Sequence, residues 1–186
     1  MVSVEAQKGG EQVMKKILTV MIPLLLIVVM SSVATPSSGA AQPEYQPVVQ
    51  KDEVITVYID QIRLNAEGGE ITVDPILWYE GKEAEQAFAK YEPDAGIDGP
   101  PDGYYIVNDD EELKHYPLAK DAEVLMQIYD RTGNVEDIDI SWNEHISLQK
   151  FAQLFGHTDL LDVRDFPYHL TIENGQITRI VQQYIP

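Results

Sequence analysis

The chain has no cysteine and few basic residues. Its 186 residues include 13 lysines and arginines against 31 aspartates and glutamates, which gives a formal charge of −18. Without cysteine there is no disulfide framework, thiol nucleophile, cysteine-bound zinc or iron–sulfur cluster. The shortage of cations argues against nucleic-acid binding, because phosphate recognition needs a surface rich in lysine and arginine. Hydrophobic residues make up 44% of the chain and aromatic residues 9%, which is typical of a chain that folds.

An apolar run of 14 residues at 17–30 follows two lysines and precedes a segment of small residues. This pattern predicts a secretory signal peptide over residues 14–40, cleaved after Ala34 or after Ala40. The alternative is an uncleaved membrane anchor. We disfavour it because 14 residues rise only about 21 Å as a helix, less than the roughly 30 Å of a bilayer core. The absence of cysteine also excludes a lipid-modified lipoprotein.

Residues 1–13 are polar and do not suit the start of a signal peptide. The stretch Lys8–Glu11 can be encoded by a bacterial ribosome-binding sequence read in frame. We therefore predict that translation starts at Met14 and that residues 1–13 are an untranslated upstream region. Export without cysteine suits a Gram-positive bacterium. We therefore expect the protein to contact the membrane only through its export signal. Its expected location is outside the cell or in the cell wall.

The part of the chain that remains after cleavage is predicted to be one acidic domain on a tether. Residues 41–50 contain two prolines and no periodicity, which predicts a flexible tether. Residues 51–186 are then a single α+β domain. From residue 42 onward, 29 acidic and 10 basic residues give a formal charge of −19.

Two alternating runs, 54–64 and 71–79, flank a turn sequence at 65–69 and predict a β-hairpin. The alternation changes phase at Asp60-Gln61 and at Asp74-Pro75, so we expect both strands to bulge or bend together. A hairpin bent in this way suits a small barrel or a strongly curved sheet.

The rest of the chain predicts two helices and several short strands. One helix covers 82–91, and Ser147 is expected to cap a second that ends at Gly156. Asn174-Gly175 predicts a type I′ hairpin between strands at 168–172 and 177–185. Further strands are predicted at 104–107, 113–118 (an edge strand, because it contains Pro117), 124–129 and 138–142. The predicted fold class is α+β: a curved, mainly antiparallel sheet or small β-barrel with two short helices, either OB-like or cystatin-like.

A loop with regularly spaced acids is the one candidate for a metal site. Asp94, Asp98 and Asp102 recur every four residues among glycines, and calcium prefers several oxygen ligands on a flexible loop. The spacing does not fit an EF-hand, and runs of acidic and turn residues are usually solvated surface. These three aspartates are therefore weak calcium candidates, and no other cofactor is predicted.

No arrangement of residues predicts catalysis. Glycoside hydrolysis requires two carboxylates across a cleft, but 29 acids supply such pairs by chance. The four aromatic residues Trp78, Trp142, Tyr104 and Tyr105 could line a sugar platform, although aromatic residues on strands more often pack against neighbours. The four histidines show no metal-ligand spacing, and no serine lies in a nucleophile-elbow motif. No catalytic residue is predicted.

Three segments and four further residues are distinctive: 71–75, 100–108 and 173–180, with Trp78, Gly81, Tyr184 and Pro186. Together they resemble uncharacterised exported proteins of Gram-positive bacteria. The resemblance implies export and transfers no activity.

The sequence therefore favours a secreted or wall-associated, non-enzymatic acidic domain that acts as a binding or interaction module. Cationic molecules or a basic protein are the partners that its charge would attract. The alternative is a small exported hydrolase that uses carboxylates. A deep cleft with two acids and aromatic walls would favour the hydrolase, and a filled barrel would favour the module.

Overall fold

A computed structural model describes residues 45–49, 51, 53–110 and 112–186. The predicted upstream region and signal peptide lie outside these residues, as does part of the tether. The strands are β1 (Val54–Asn65), β2 (Gly68–Glu80), β3 (Tyr104–Val107), β4 (Lys114–Met126), β5 (Glu144–Ile146), β6 (Tyr168–Glu173) and β7 (Gln176–Gln182). The helices are α1 (Gly81–Tyr91) and α2 (Leu148–Leu154), and short 3-10 turns cover Val135–Asp137 and Val163–Asp165.

Five of these strands close into a barrel in the order β2–β1–β6–β7–β4, and β4 pairs back onto β2. The pairs are antiparallel except β4 with β7, which is parallel. In chain order the five barrel strands are β1, β2, β4, β6 and β7. If they are renumbered 1 to 5 in that order, their order around the barrel is 1-2-3-5-4-1, and α2 lies in the sequence between the third and the fourth. A five-stranded barrel with this connectivity has an OB-like arrangement. The predicted α+β small barrel is confirmed, and the cystatin-like alternative does not apply because the sheet closes on itself.

The barrel interior is filled by side chains from every barrel strand and from α2. Val57, Ile71, Leu170 and Ile177 have no exposed surface, and Phe151 of α2 is equally buried. Burying a side chain of this size stabilises a fold by about 1.5–3 kcal/mol relative to leaving it in water. The barrel is thus a packed core, and any ligand site must lie on its outside.

The two local signals in the sequence form as predicted. The Ser147 hydroxyl accepts a hydrogen bond from the backbone N–H of Lys150 (3.1 Å), which caps α2. Asn174 and Gly175 have φ values of 51° and 78°, the left-handed conformation that a type I′ turn requires.

The expected paired bend in the first hairpin is only half right. The β1–β2 register shifts between Ile59 and Gln61, so β1 bulges at Asp60 as predicted, but β2 runs through Pro75 without a break. The phase change on β2 instead reflects burial on its outer face. Ile76 is the partner of Thr56 and points away from the core, yet it is only 7% exposed. The outer face of β2 is therefore buried at this position as well.

Two strand predictions after α1 were wrong. Residues 113–118 are not an edge strand, because β4 continues from Lys114 to Met126 and its first half closes the barrel against β2. Pro117 is tolerated because β7 pairs with β4 only from Leu118 onward. Residues 138–142 form no strand. The Ser141 N–H bonds to the Gln127 carbonyl oxygen (2.8 Å), and the short strand β5 follows instead.

Candidate functional site

An open groove of about 790 Å³ lies on the outer wall of the barrel. One side is the tether, through Gln46–Val49 and Lys51, and the other is the outer face of β4, β5, β6 and β7. Leu125 and Val181 are neighbours across the parallel β4–β7 pair and line this hollow. The residues next to them, Val124 and Ile180, point into the core, so Leu125 and Val181 face outward. We call this hollow the groove.

Charged side chains stand along the groove in a cluster that the β4–β7 pairing assembles. Glu123 and Arg179 are partners across the two strands, and the Arg179 Nε donates to the Glu123 Oε2 at 2.8 Å. The His145 Nδ1 lies 3.5 Å from the other Glu123 oxygen. These side chains are 41–69% exposed, so their attraction adds little stability and the groups remain accessible to a ligand.

The described tether residues, 45–49, have no regular secondary structure, and the chain is held to the barrel at Tyr45 and again at Glu53, which follows the tether. At one end the Tyr45 hydroxyl donates to the Gln183 Oε1 at 2.8 Å, and its ring lies 5.0 Å from the Trp142 ring. Burial raises the pKa of Tyr45. At the other end the Glu53 carbonyl accepts the Ile172 N–H at 2.8 Å. The described residues of the tether therefore lie as a strap beside the groove, against the outer face of the β6–β7 hairpin.

A second, smaller hollow of about 100 Å³ lies beside the groove. Its walls are Val48, Trp78, Glu80, Glu83, His169 and Gln183. The Trp78 indole stacks on Tyr104 with ring centroids 4.7 Å apart and an angle of 14° between the planes. Glu80 ends β2 and Glu83 lies in the first turn of α1, so the strand-to-helix junction supplies both carboxylates. We call this hollow the cavity.

His169 is the most buried titratable group of the cavity, at 2% exposure. Its Nε2 lies 3.0 Å from the Gln183 Oε1 and its Nδ1 lies 3.0 Å from the Thr56 hydroxyl. Because an amide oxygen can only accept, the network assigns the proton to Nε2, and Nδ1 accepts from Thr56. Burial lowers the pKa of His169, which keeps the ring neutral at neutral pH. His169 therefore positions Gln183 and the wall of the cavity.

The loop that carries Asn143 into the groove is fixed by a network around Glu144. The Tyr129 hydroxyl donates to one Glu144 oxygen at 2.5 Å, and the Arg131 Nη2 donates to the other at 2.7 Å. Burial and the hydrogen bond to Glu144 raise the pKa of Tyr129 to about 12. Burial opposes ionisation of Glu144, but its hydrogen bonds from Tyr129 and Arg131 together lower its pKa. Arg131 also donates to the Asp139 carbonyl oxygen at 2.8 Å, which holds the loop.

The calcium candidates Asp94, Asp98 and Asp102 lie exposed in the loop between α1 and β3. Within the described ranges, no three histidine, aspartate or glutamate side chains converge in a way that could hold a metal ion. The structure thus does not bring the three aspartates together, and calcium binding stays a prediction.

The four aromatic residues considered as a platform divide into separate groups. Trp78 and Tyr104 stack beside the cavity, whereas Tyr105 packs edge-on against Phe88 of α1 at 5.6 Å. Trp142 packs with Tyr45 and Tyr184 near the end of β7. Sequence reasoning missed Glu123, Arg179 and Gln183 as site residues, because only the barrel pairing and the docked tether bring them to the hollows.

Comparison with known proteins gives no family, relative or fold neighbour: no family model, curated protein or solved structure matches this chain. In the described part of the chain, no helix is both long enough and apolar enough to cross a membrane.

Proposed function

We propose that this protein is an exported, non-enzymatic binding module, secreted or held in the cell wall, that takes an extended segment of a basic partner in the groove. The observation that carries the proposal is the open groove of about 790 Å³ on the outer wall of a barrel whose interior is filled. An open groove of this size accepts a chain more readily than a small substrate, which ligand pockets usually enclose.

The charge of the protein supports a basic partner. The 29 acids that follow the predicted signal peptide outnumber the cations almost three to one. Glu53 and Glu173 line the groove, and neither takes part in an ion pair among the described residues. Phosphate-bearing wall polymers would be repelled by this field, whereas cationic peptides and basic proteins would be attracted, most strongly at low salt.

Hydrolysis by carboxylates is less well supported as a function. The cavity does combine Glu80 and Glu83 with an aromatic wall. However, a volume of about 100 Å³ is small beside the roughly 300–1,000 Å³ of typical ligand pockets.

Binding of a labelled alternating peptide tests the proposal. Fluorescence anisotropy with (Lys-Gly)₆ should show saturable binding at about 20 mM salt that weakens strongly at about 300 mM, and (Glu-Gly)₆ should not bind. The double variant Glu53→Lys/Glu173→Lys reverses two charges in the groove and should weaken binding by about tenfold or more, because it places cations against the cationic peptide.

The matched control is Glu67→Lys/Glu136→Lys, which makes the same charge change at exposed residues outside the groove lining. It should weaken binding by no more than about threefold, through the general field alone. Equal losses in the two variants would mean that the groove is not the site. Failure of the parent protein to bind (Lys-Gly)₆ at low salt would contradict the proposed function as a whole. If (Lys-Gly)₆ does bind in the groove, salt-sensitive capture of a basic protein from culture supernatant identifies the natural partner class.

A further inference from the structure

The cavity has a composition suited to a single cationic head group. Its walls combine one aromatic ring, two carboxylates, a valine and the neutral pair His169–Gln183. Glu80 and Glu83 are exposed at its rim, and none of the ion pairs formed within the described residues includes either of them. A cation that entered here would meet two carboxylates and an indole, which are the groups that hold ammonium and guanidinium ions in proteins.

Within the described residues, no lysine or arginine forms an ion pair with Glu80 or Glu83, and this includes Lys82, which lies between them in the sequence. Arg179, Arg131 and Arg164 are each engaged with a carboxylate elsewhere. Lys90 lies 4.4 Å from the ring centroid of Tyr91, at the opposite end of α1 from Glu83. Another molecule can therefore supply the complementary charge.

The cavity adjoins the groove through the tether. Val48 lines both hollows, and Gln183, which holds Tyr45 of the tether, forms part of the cavity wall. A peptide chain lying in the groove can therefore direct one side chain past Val48 into the cavity. The volume of about 100 Å³ suits the head of one side chain.

We propose that the cavity is a specificity pocket for the ammonium or guanidinium head of one lysine or arginine side chain of the partner. Trp78 packs against the head, and Glu80 and Glu83 neutralise its charge. This inference rests on the proposed function, since the peptide that bears the side chain occupies the groove.

Tryptophan fluorescence tests this pocket directly. The chain has two tryptophans, so Trp142→Phe leaves Trp78 as the reporter while keeping an aromatic ring beside Tyr45. Titration with Ac-Gly-Gly-X-Gly-Gly-NH₂ should change the emission saturably when X is lysine or arginine. It should leave the emission unchanged when X is norleucine, which has a similar length and no charge. The tighter of the lysine and arginine peptides identifies which head group the pocket prefers.

The double variant Glu80→Gln/Glu83→Gln should weaken this binding by about tenfold or more, because it removes both carboxylates from the rim. Glu85→Gln removes one charge from an exposed position of the same helix and should change affinity by less than about twofold. If Trp142→Phe does not fold, the indole N–H resonance of Trp78 in the unaltered protein gives the same readout.

The outcomes separate the two proposals. If Glu80→Gln/Glu83→Gln binds the lysine and arginine peptides as tightly as Glu85→Gln does, the proposed specificity pocket is wrong. Binding of (Lys-Gly)₆ that remains sensitive to the groove variants would then leave the proposed function standing. If norleucine binds as tightly as lysine, the cavity selects an apolar chain and the charge argument is wrong. If neither the short peptides nor (Lys-Gly)₆ bind, both proposals fail.

Discussion

Individual residues shape the candidate site mainly by holding its walls. Glu144 shows this best, because it joins Tyr129 on one side to Arg131 on the other, and Arg131 in turn holds the carbonyl oxygen of Asp139. Its side chain is 30% exposed, so these bonds are partly shielded from water. Hydrogen bonds to a charged group in such a place contribute more to stability than those between neutral groups.

Glu144→Gln should lower the free energy of unfolding by about 1.5 kcal/mol at pH 7, because it removes the charge that both partners bind. The pKa of Glu144 is lower in the folded protein than its ordinary value of 4.5. The contribution of Glu144 is therefore fully present above that value, and it is lost as the pH falls through the lowered folded value. Urea unfolding of both proteins across this range measures the difference. If the difference between their free energies of unfolding stays constant in acid, the stabilisation by Glu144 does not depend on its charge.

At the scale of elements, β2 is the strand that closes the barrel. It pairs with β1 along one edge, and along the other it pairs first with β4 and then with β3. At Gly68, where β2 begins, the backbones approach so closely that an added Cβ would lie 2.0 Å from the Leu118 carbonyl oxygen. Gly68 also has φ = +131°, a conformation that side chains rarely adopt.

Gly68→Ala should therefore destabilise the protein by about 3 kcal/mol or more, since both the close contact and the backbone conformation must change. Gly156→Ala is the control, because its Cβ would lie at an ordinary 3.5 Å from the nearest atom, the Gln153 carbonyl oxygen. Thermal melting should show a large loss for the first variant and little change for the second. Similar melting temperatures for the two variants would mean that the backbones of Gly68 and Leu118 do not approach each other so closely.

The elements that the sequence predicted well are those set by local chemistry. Asn174-Gly175 dictates its turn, Ser147 caps its helix, and the alternation of 54–64 reports a half-buried strand, all without knowledge of distant residues. The failures involve distant partners. Residues 114–126 form one strand because β2 and β7 pair with its two halves. The segment 138–142 is held by Gln127 and Arg131 and forms no strand.

The candidate site was harder to predict than the fold for the same reason. Glu123 and Arg179 meet only because β4 and β7 run parallel, 56 positions apart in sequence. Val48 and Gln183 come together only because the tether returns across the β6–β7 hairpin. Neither pair leaves a pattern along the chain. Trp78 and Tyr104 were identified as candidates from their residue type, but their stacking depends on the position of β3 beside β2.

The molecule as a whole combines a filled barrel with a strongly negative surface. A filled interior excludes a ligand from the barrel axis and leaves the outer wall, where the strap along β6 and β7 forms the groove. The negative field draws basic molecules towards the whole surface, and the groove and the cavity offer concave contact. We therefore expect basic chains to bind at the strap and not over the acidic surface generally.

The most direct measurement of this claim is a ¹H–¹⁵N NMR titration of the protein with (Lys-Gly)₆ at low salt. We expect the chemical-shift changes to concentrate at the groove, including the amides of Thr171, Glu173 and Arg179, together with the Trp78 indole N–H. We also expect only small chemical-shift changes in the loop with Asp94, Asp98 and Asp102. Shifts that spread over the acidic surface, or that centre on that loop, would contradict this claim.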